Sequence, residues 1–287
     1  MTILTSQMSL LLVLLLCITT FHKSMCTNNT FVQCNEKDRE TLLTFKQGVN
    51  DSFGRISMWS IEKNCCAWGG VHCDNMTGRV TKLDLSYNQL EGEMNLCILK
   101  LEFLSYFDLS RNDFDVLSIP SIQNNNITHS SNLLYLDLSL NGGLHMDNLD
   151  WLSPLSSLKY LNLNWIDLHK ETNWIQAEST LPSLLDLRLS DCKLNNFPSI
   201  EYLNLSSLVT LDLSWNNFSH HLPNGFFNLS KYLNYLDLSK NNILDEIPSS
   251  LLNLQNLRIL DLSNNQLQGS IPDKICNTPF SRLKNFI

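Results

Sequence analysis

The sequence predicts an α/β solenoid, a right-handed superhelix with a parallel β-sheet on its concave face and a disulfide-stapled helical cap at its N-terminal end. Three observations predict it. Of 287 residues, 56 are Leu and 34 are Asn, against 10 Gly and 8 Pro. A frame L-x-x-L-x-L-x-x-N-x-L recurs eight times along the chain. A segment carrying Cys34, Cys65, Cys66 and Cys73 precedes the first copy. The composition also narrows the function. Only 17% of residues are charged, the net charge is −8, and no Lys/Arg cluster interrupts the acidic balance. Such a chain is a poor match for phosphate backbones or anionic membrane surfaces, so no nucleic-acid partner is expected. An apolar content of 43% excludes a disordered chain.

In chain order, the first element is an export signal over residues 1–26. Residues 10–18 read LLLVLLLCI, an apolar run too short to span a bilayer, and Ser24 and Cys26 stand at −3 and −1 of a cleavage site before Thr27. No later stretch approaches the ~20 apolar residues of a transmembrane helix. The chain therefore reads as secreted, or held at the cell membrane where a full-length product adds a transmembrane helix. Asn28, Asn50, Asn75, Asn126, Asn204, Asn217 and Asn228 each head an Asn-x-Ser/Thr sequon and are candidate glycosylation sites. Of nine cysteines, Cys17 and Cys26 leave with the signal. The odd number that remains leaves at least one thiol unpaired.

Residues 27–79 form the cap. Over residues 38–49, Leu42, Leu43, Phe45 and Val49 recur at near-helical spacing with charges opposite, which predicts an amphipathic helix. Trp59, the Cys65-Cys66 pair, Trp68-Gly69-Gly70-Val71 and Cys73 follow. A solenoid exposes the apolar end of its first coil unless something covers it. Four cysteines allow three pairings. Adjacent residues rarely bridge each other, which leaves two.

Residues 80–280 hold the eight repeats of about 25 residues. The copies Leu83-Asp84-Leu85-Ser86, Leu136-Asp137-Leu138-Ser139, Leu211-Asp212-Leu213-Ser214, Leu236-Asp237-Leu238-Ser239 and Leu260-Asp261-Leu262-Ser263 are clearest, with weaker ones centred on Phe107, Leu161 and Leu187. Steps between the eight centres run from 24 to 29 residues, the range of leucine-rich repeats. The L-x-L alternation is a period-two strand with one face buried, and stacked copies make a parallel sheet. The Asn after each strand can both donate to and accept from the turn peptides of adjacent coils, forming a ladder. Ile166 and Cys192 replace it in repeats four and five, which should be locally looser. Leu222-Pro223, Ile247-Pro248 and Ile271-Pro272 begin the return path over the convex side. Residues 281–287 read as the start of an incomplete ninth repeat.

This order of signal, single Cys34, amphipathic helix, Trp59, Cys65-Cys66-x-Trp68-x-Gly70-Val71-x-Cys73 and L-D-L-S repeats resembles the plant extracellular leucine-rich-repeat receptor-like proteins. The likeness covers essentially the whole mature chain. Leu267-Gln268-Gly269-Ser270-Ile271-Pro272 is similar to the plant L-x-G-x-I-P signature, and Asn88-Gln89-Leu90-Glu91-Gly92 carries its opening. The resemblance implies pairing of Cys34 with Cys65 and of Cys66 with Cys73. Within the family the texture resembles the defence type, including receptors for fungal xylanase. Those proteins continue into further repeats and a transmembrane helix, so the chain reads as the N-terminal part of a truncated ectodomain.

No Walker A motif, no H-E-x-x-H, no G-x-S-x-G and no G-x-G-x-x-G occurs, and the repeated Asp residues follow from the repeated motif. His220-His221 reads as solvated surface. His72-Cys73 beside Cys65-Cys66 lacks zinc spacing, so no metal, cofactor or catalytic residue is expected. Binding remains. The residues flanking and separating the second and third leucines of the frame should face the concave surface. The column before the Asn varies in every repeat and supplies Tyr87, Arg111, Trp165, Asp191, Trp215 and Lys240. The strand columns add Tyr160, Tyr235 and Arg188, with Tyr106 and Tyr135 in the same column as the first two. These predict a non-catalytic recognition module for a protein, peptide or glycan ligand, signalling through a partner such as a co-receptor kinase. The alternative is a secreted inhibitor of microbial cell-wall hydrolases, similar to polygalacturonase inhibitors.

Overall fold

A computed structural model describes residues 32–60, 63–119, 132–172, 174, 181–197, 205–219, 222–228 and 230–269. The signal segment 1–26, Asn28, Asn126, Asn204, His220-His221, Ile271-Pro272, Cys276 and residues 281–287 lie outside the described residues, as does the side chain of Asn228.

The cap begins with helix α1 (Glu36–Gly48). Asn35 caps it by accepting from the Lys37 N–H, while Glu36 and Asp38 in the first turn and Lys46 in the last complement the helix dipole. Leu42 and Phe45 are fully buried and Leu43 packs against the core as predicted. Val49 differs from expectation. It lies outside the helix in strand β1 (Val49–Asn50), which pairs antiparallel with β4 (Glu91–Asn95). The Cys34–Cys65 and Cys66–Cys73 disulfides both form, so the pairing implied by resemblance holds. Trp59 and Trp68 stack with centroids 5.2 Å apart. Strand β2 (Val71–Cys73) then lies antiparallel on β3 (Val80–Asp84), covering the edge of the first repeat. Gly70, at φ +80°, makes this approach feasible, because a Cβ there would meet the Asp84 carbonyl oxygen at 2.3 Å.

The concave face is a nine-stranded sheet in which β2 is followed by β3, β5 (Tyr106–Asp108), β7 (Tyr135–Asp137), β8 (Tyr160–Asn162), β9 (Asp186–Arg188), β10 (Thr210–Asp212), β11 (Tyr235–Asp237) and β13 (Ile259–Asp261). All eight strands from β3 onward are parallel. Leu83, Phe107, Leu136, Leu161, Leu187, Leu211, Leu236 and Leu260 stand in register across them, each at most 1% exposed. These are the eight centres read from the sequence. Short convex strands complete the coils, with β4 on β6 (Asp113–Ser118) and β12 (Leu244–Glu246) on β14 (Gln266–Gln268).

The asparagine ladder is formed as its chemistry requires. The Asn112 amide donates to the carbonyls of Leu85 and Leu109 at 2.9 and 2.8 Å, and its oxygen accepts from the N–H groups of Asn88 and Leu90. Asn141, Asn216, Asn241 and Asn265 repeat the donor half of this pattern. At the two breaks the bonding continues through other groups. The Cys192 thiol donates to the Leu163 carbonyl at 3.1 Å, and Asn164, in the serine column, accepts from the Ser190 N–H at 2.7 Å. The looser packing expected of repeats four and five is therefore not seen in their hydrogen bonds. Cys97 and Cys192 are both buried free thiols, and burial pushes the Cys97 thiol up to about 11.

A polar cluster lies on the convex side of repeats three to five. Burial disfavours the Asp167 carboxylate, but bonds from Lys193 Nζ at 2.5 Å and from the backbone and ring of His169 outweigh this and hold it at about 2. A depressed folded pKa means that its contribution to stability is present above the ordinary value of 3.8 and lost as pH falls toward 2. Carbon-detected NMR titration should place the Asp167 midpoint near 2, and Lys193→Gln should move it upward. An Asp167 midpoint at the ordinary carboxylate value would show that the cluster exerts no net pull.

Candidate ligand-recognition surface

Three columns of side chains form the concave face. The central column is Asp84, Asp108, Asp137, Asn162, Arg188, Asp212, Asp237 and Asp261. Its carboxylates have a structural task. The Asp137 oxygen accepts from the Ser139 N–H at 2.9 Å and its hydroxyl at 2.6 Å, and Asp84, Asp212 and Asp261 hold Ser86, Ser214 and Ser263 in the same way. This explains why the motif reads D-L-S. Burial, assisted by the next carboxylate along the sheet, raises the pKa of Asp108 and of Asp212.

The second column carries the tyrosines. Tyr106, Tyr135 and Tyr160 stack almost parallel at centroid spacings of 4.2 and 4.3 Å. Adjacent parallel strands ~4.8 Å apart dictate this, since planar rings in one column then meet face to face. Lys82 Nζ lies 4.0 Å over the Tyr106 ring and the Arg188 guanidinium 5.7 Å from the Tyr160 ring, so cations close both ends of the stack. The hydroxyls of Tyr106 and Tyr235 donate to Asp108 and Asp237 at 3.1 Å. Burial pushes the Tyr106 phenol up to about 12. Tyr160 is thus a wall residue that packs on its neighbours, whereas Tyr235 stands between Thr210 and Ile259 outside the stack.

The third column, before each ladder Asn, departs from the sequence-based picture. Tyr87, Arg111, Leu140, Trp165, Asp191, Trp215, Lys240 and Asn264 all have φ between 55° and 67°, in the left-handed region. They sit in the turn that ends each strand and form the rim of the face. In this conformation the N–H of Trp165 donates to the Ser190 carbonyl at 2.9 Å and that of Trp215 to the Ser239 carbonyl at 3.0 Å, extending the ladder one rung past the strand. Side chains carried on such turns project into solvent. Tyr87 is 65% exposed, and Trp165 and Trp215 are each 55% exposed.

The predicted residues fall into separate groups. Arg111 lies 4.6 Å over Tyr87, and Lys240 Nζ lies 3.7 Å over Trp215. Arg188 binds Asp186 through Nε at 3.0 Å and a terminal nitrogen at 3.2 Å, and this pairing raises its pKa. Trp165 and Trp215 lie two strands apart, roughly 10 Å, with Asp191 between them on the rim. The Tyr87–Arg111 pair lies at the other end of the sheet and does not join them. Asn50, Asn75 and Asn217 are exposed. The sulfurs of Cys34, Cys65, Cys66 and Cys73 lie within 4.8 Å of one another, but both pairs are bonded as disulfides.

The repeated coils and the capped first strand together define a leucine-rich-repeat solenoid with a disulfide-stapled cap. Residues 35–74 match the Leucine rich repeat N-terminal domain family, and residues 207–229, 232–254 and 256–278 match the Leucine Rich Repeat family. The chain is homologous to the plant receptor-like proteins over most of its length. It is 35% identical over 248 residues to Receptor-like protein EIX1 of Solanum lycopersicum, covering 71% of this chain and 24% of that protein. It is 32% identical over 199 residues to Receptor-like protein Cf-9 of Solanum pimpinellifolium, covering 58% and 22%. The ectodomain of the Arabidopsis receptor kinase HAESA, solved with a peptide hormone ligand, superposes with a TM-score of 0.69 at 27% identity over 86% of this chain and 40% of that one. The chain spans about a quarter of the length of the curated relatives it matches. Its relatives are receptor-like proteins. Among the described residues no helix is long and apolar enough to cross a membrane.

Proposed function

We propose that this chain is the ligand-recognition part of an extracellular plant receptor-like protein of the defence type, taking a protein, peptide or glycan ligand on its concave face and signalling through a partner such as a co-receptor kinase. The observation that carries this is the rim. Trp165 and Trp215 stand more than half exposed on a column that the fold does not use for burial. Exposed aromatic residues of this size are the common anchors of binding surfaces, and truncating one costs about 2 kcal/mol or more in affinity. The homologues favour a receptor over a hydrolase inhibitor, and the peptide held by the HAESA ectodomain supports a peptide or protein ligand.

The proposal includes export through the signal at 1–26 and glycans on the exposed Asn50, Asn75 and Asn217. The intact mass of the secreted chain reports both. The test of recognition is Trp165→Ala and Trp215→Ala, assayed on arrays of dodecapeptides and cell-wall oligosaccharides. Each variant should be secreted at the wild-type level and lose at least about tenfold in affinity for whatever the parent retains. Loss of secretion with unchanged affinity would instead make the tryptophans packing residues.

A further inference from the structure

Four of the five exposed aromatic side chains described in the repeats carry a cation of this chain on their ring. Arg111 lies 4.6 Å over Tyr87, Arg79 4.4 Å over Phe103, Lys240 3.7 Å over Trp215 and Lys231 5.0 Å over Tyr232. Trp165 is the fifth. It is 55% exposed, and among the described residues neither a cation nor a second ring lies on it. On the rim the cation comes from the next coil, Arg111 for Tyr87 and Lys240 for Trp215. For Trp165 that position holds an acid, Asp191. Its carboxylate is half-buried and, among the described residues, makes neither an ion pair nor a hydrogen bond. The neighbouring cations are engaged elsewhere, Arg188 with Asp186, Lys193 with Asp167 and Lys240 on Trp215. Asp191 therefore stands one strand spacing, ~4.8 Å, along the rim from Trp165 and as far from Trp215 on its other side.

Resting on the reading of the rim as part of a recognition surface, we propose that Trp165 and Asp191 form a site for one guanidinium group, carried by a small alkylguanidine. The planar cation stacks on the Trp165 indole while its N–H fork donates to the Asp191 carboxylate. Two demands select this chemistry. A half-buried carboxylate without a donor calls for a ligand with N–H groups and positive charge. An indole face calls for a planar, weakly hydrated cation rather than a compact ammonium. A quaternary ammonium meets only the second demand, and a neutral sugar supplies no countercharge to Asp191. Arg188 already forms the same two-pronged bond within the chain, to Asp186 at 3.0 and 3.2 Å. Both site residues sit on the turns that end their strands, at φ 67° and 55°. The group therefore enters from the rim and needs no peptide backbone laid along the sheet.

The test uses the secreted chain and ligand-observed NMR with butylguanidinium, butylammonium and cellobiose at constant ionic strength. Butylguanidinium should bind with a Kd on the order of 1 mM, and butylammonium should bind at least about threefold more weakly. Asp191→Asn should weaken butylguanidinium at least about fivefold and Trp165→Ala at least about threefold, while Trp165→Phe keeps a ring and retains most of the affinity. N-acetylarginine amide adds the peptide groups of a protein-borne arginine and should bind no more tightly than butylguanidinium. Binding at least about tenfold tighter would overturn the small ligand and assign the site to an arginine of a protein partner. No binding of butylguanidinium by about 20 mM, indifference to Asp191→Asn, or binding of cellobiose in its place would overturn the guanidinium site. If it fails in this way while Trp165→Ala still abolishes binding on the arrays, recognition by the rim stands without it. Butylguanidinium binding that neither substitution alters, with array binding equally unaltered, would overturn both.

Discussion

Asn216→Ala is expected to be the most damaging single substitution in the repeat array. Asn216 is 6% exposed and makes five hydrogen bonds with backbone. Its amide donates to the carbonyls of Leu189, Leu213 and Ser214 at 2.7, 3.0 and 3.1 Å, and its oxygen accepts from the N–H groups of Cys192 and Leu194 at 3.0 Å. Alanine leaves both N–H groups buried without a partner, at about 1–3 kcal/mol each, and opens space where the amide stood. The expected loss is about 4 kcal/mol, set against a total stability on the order of 5–15 kcal/mol. Because coils contact only their neighbours, the damage should concentrate in repeats five and six. Hydrogen exchange should show lost protection at Cys192, Leu194 and Leu213, with Leu85 and Leu109 little changed. Asn265→Ala is the internal comparison. Asn265 is only half-buried and, among the described residues, accepts from Ile243 alone, so it should lose less than half as much in urea melts. A drop below about 1 kcal/mol for Asn216→Ala would mean that water replaces the side chain and that the ladder is not a main support.

The array was legible because its period is two within strands and about 25 between them. A one-residue slip would turn every Leu outward, so the Leu columns fix the register without help from the loops. The cap cysteines were less legible. Proximity in sequence excludes one pairing, and only resemblance separated the remaining two. The candidate surface was read correctly as columns but not as conformations. Nothing in Tyr87, Trp165 or Trp215 signals a left-handed φ, since Gly or Asn would be the ordinary residue there and only Asn264 conforms. That conformation is imposed by the next coil, whose serine carbonyl takes the N–H. The tyrosine stack depends likewise on strand spacing, and its capping by Lys82 and Arg188 depends on rotamers, neither of which a string of letters carries. The helix gave the opposite error. Charges were placed on its solvent face, yet Asp38, four residues before Leu42, shares the inward face and is 2% exposed.

That aspartate carries the second large expected effect. Asp38 Oδ2 accepts from the backbone N–H of Val80 at 2.8 Å and from Arg79 Nε at 3.0 Å, and Arg79 also donates to Glu102 at 3.1 Å. One carboxylate thus joins α1 of the cap to the first strand of the array and, through Arg79, to the second repeat. A buried ion pair adds little net stability when formed, but removing one partner strands the other. Asp38→Ala orphans the Val80 N–H at a fully buried residue and leaves Arg79, with 16% of its side chain exposed, held by the half-exposed Glu102 and the face of the Phe103 ring. The expected loss is about 3 kcal/mol. Asp38→Asn keeps an acceptor for Val80 and should lose about half of that. Helix α1 then meets the array through the Leu42 and Phe45 contacts and the β1–β4 pairing, without its polar latch, and its detachment would bare the apolar end of the first coil. Limited proteolysis should therefore cut Asp38→Ala between the cap and the repeats, while both disulfides hold the cap itself together. A double-mutant cycle with Arg79→Ala decides the mechanism. Coupling above about 1 kcal/mol assigns the latch to the ion pair, whereas strict additivity would assign the loss to the Val80 hydrogen bond and the packing around it.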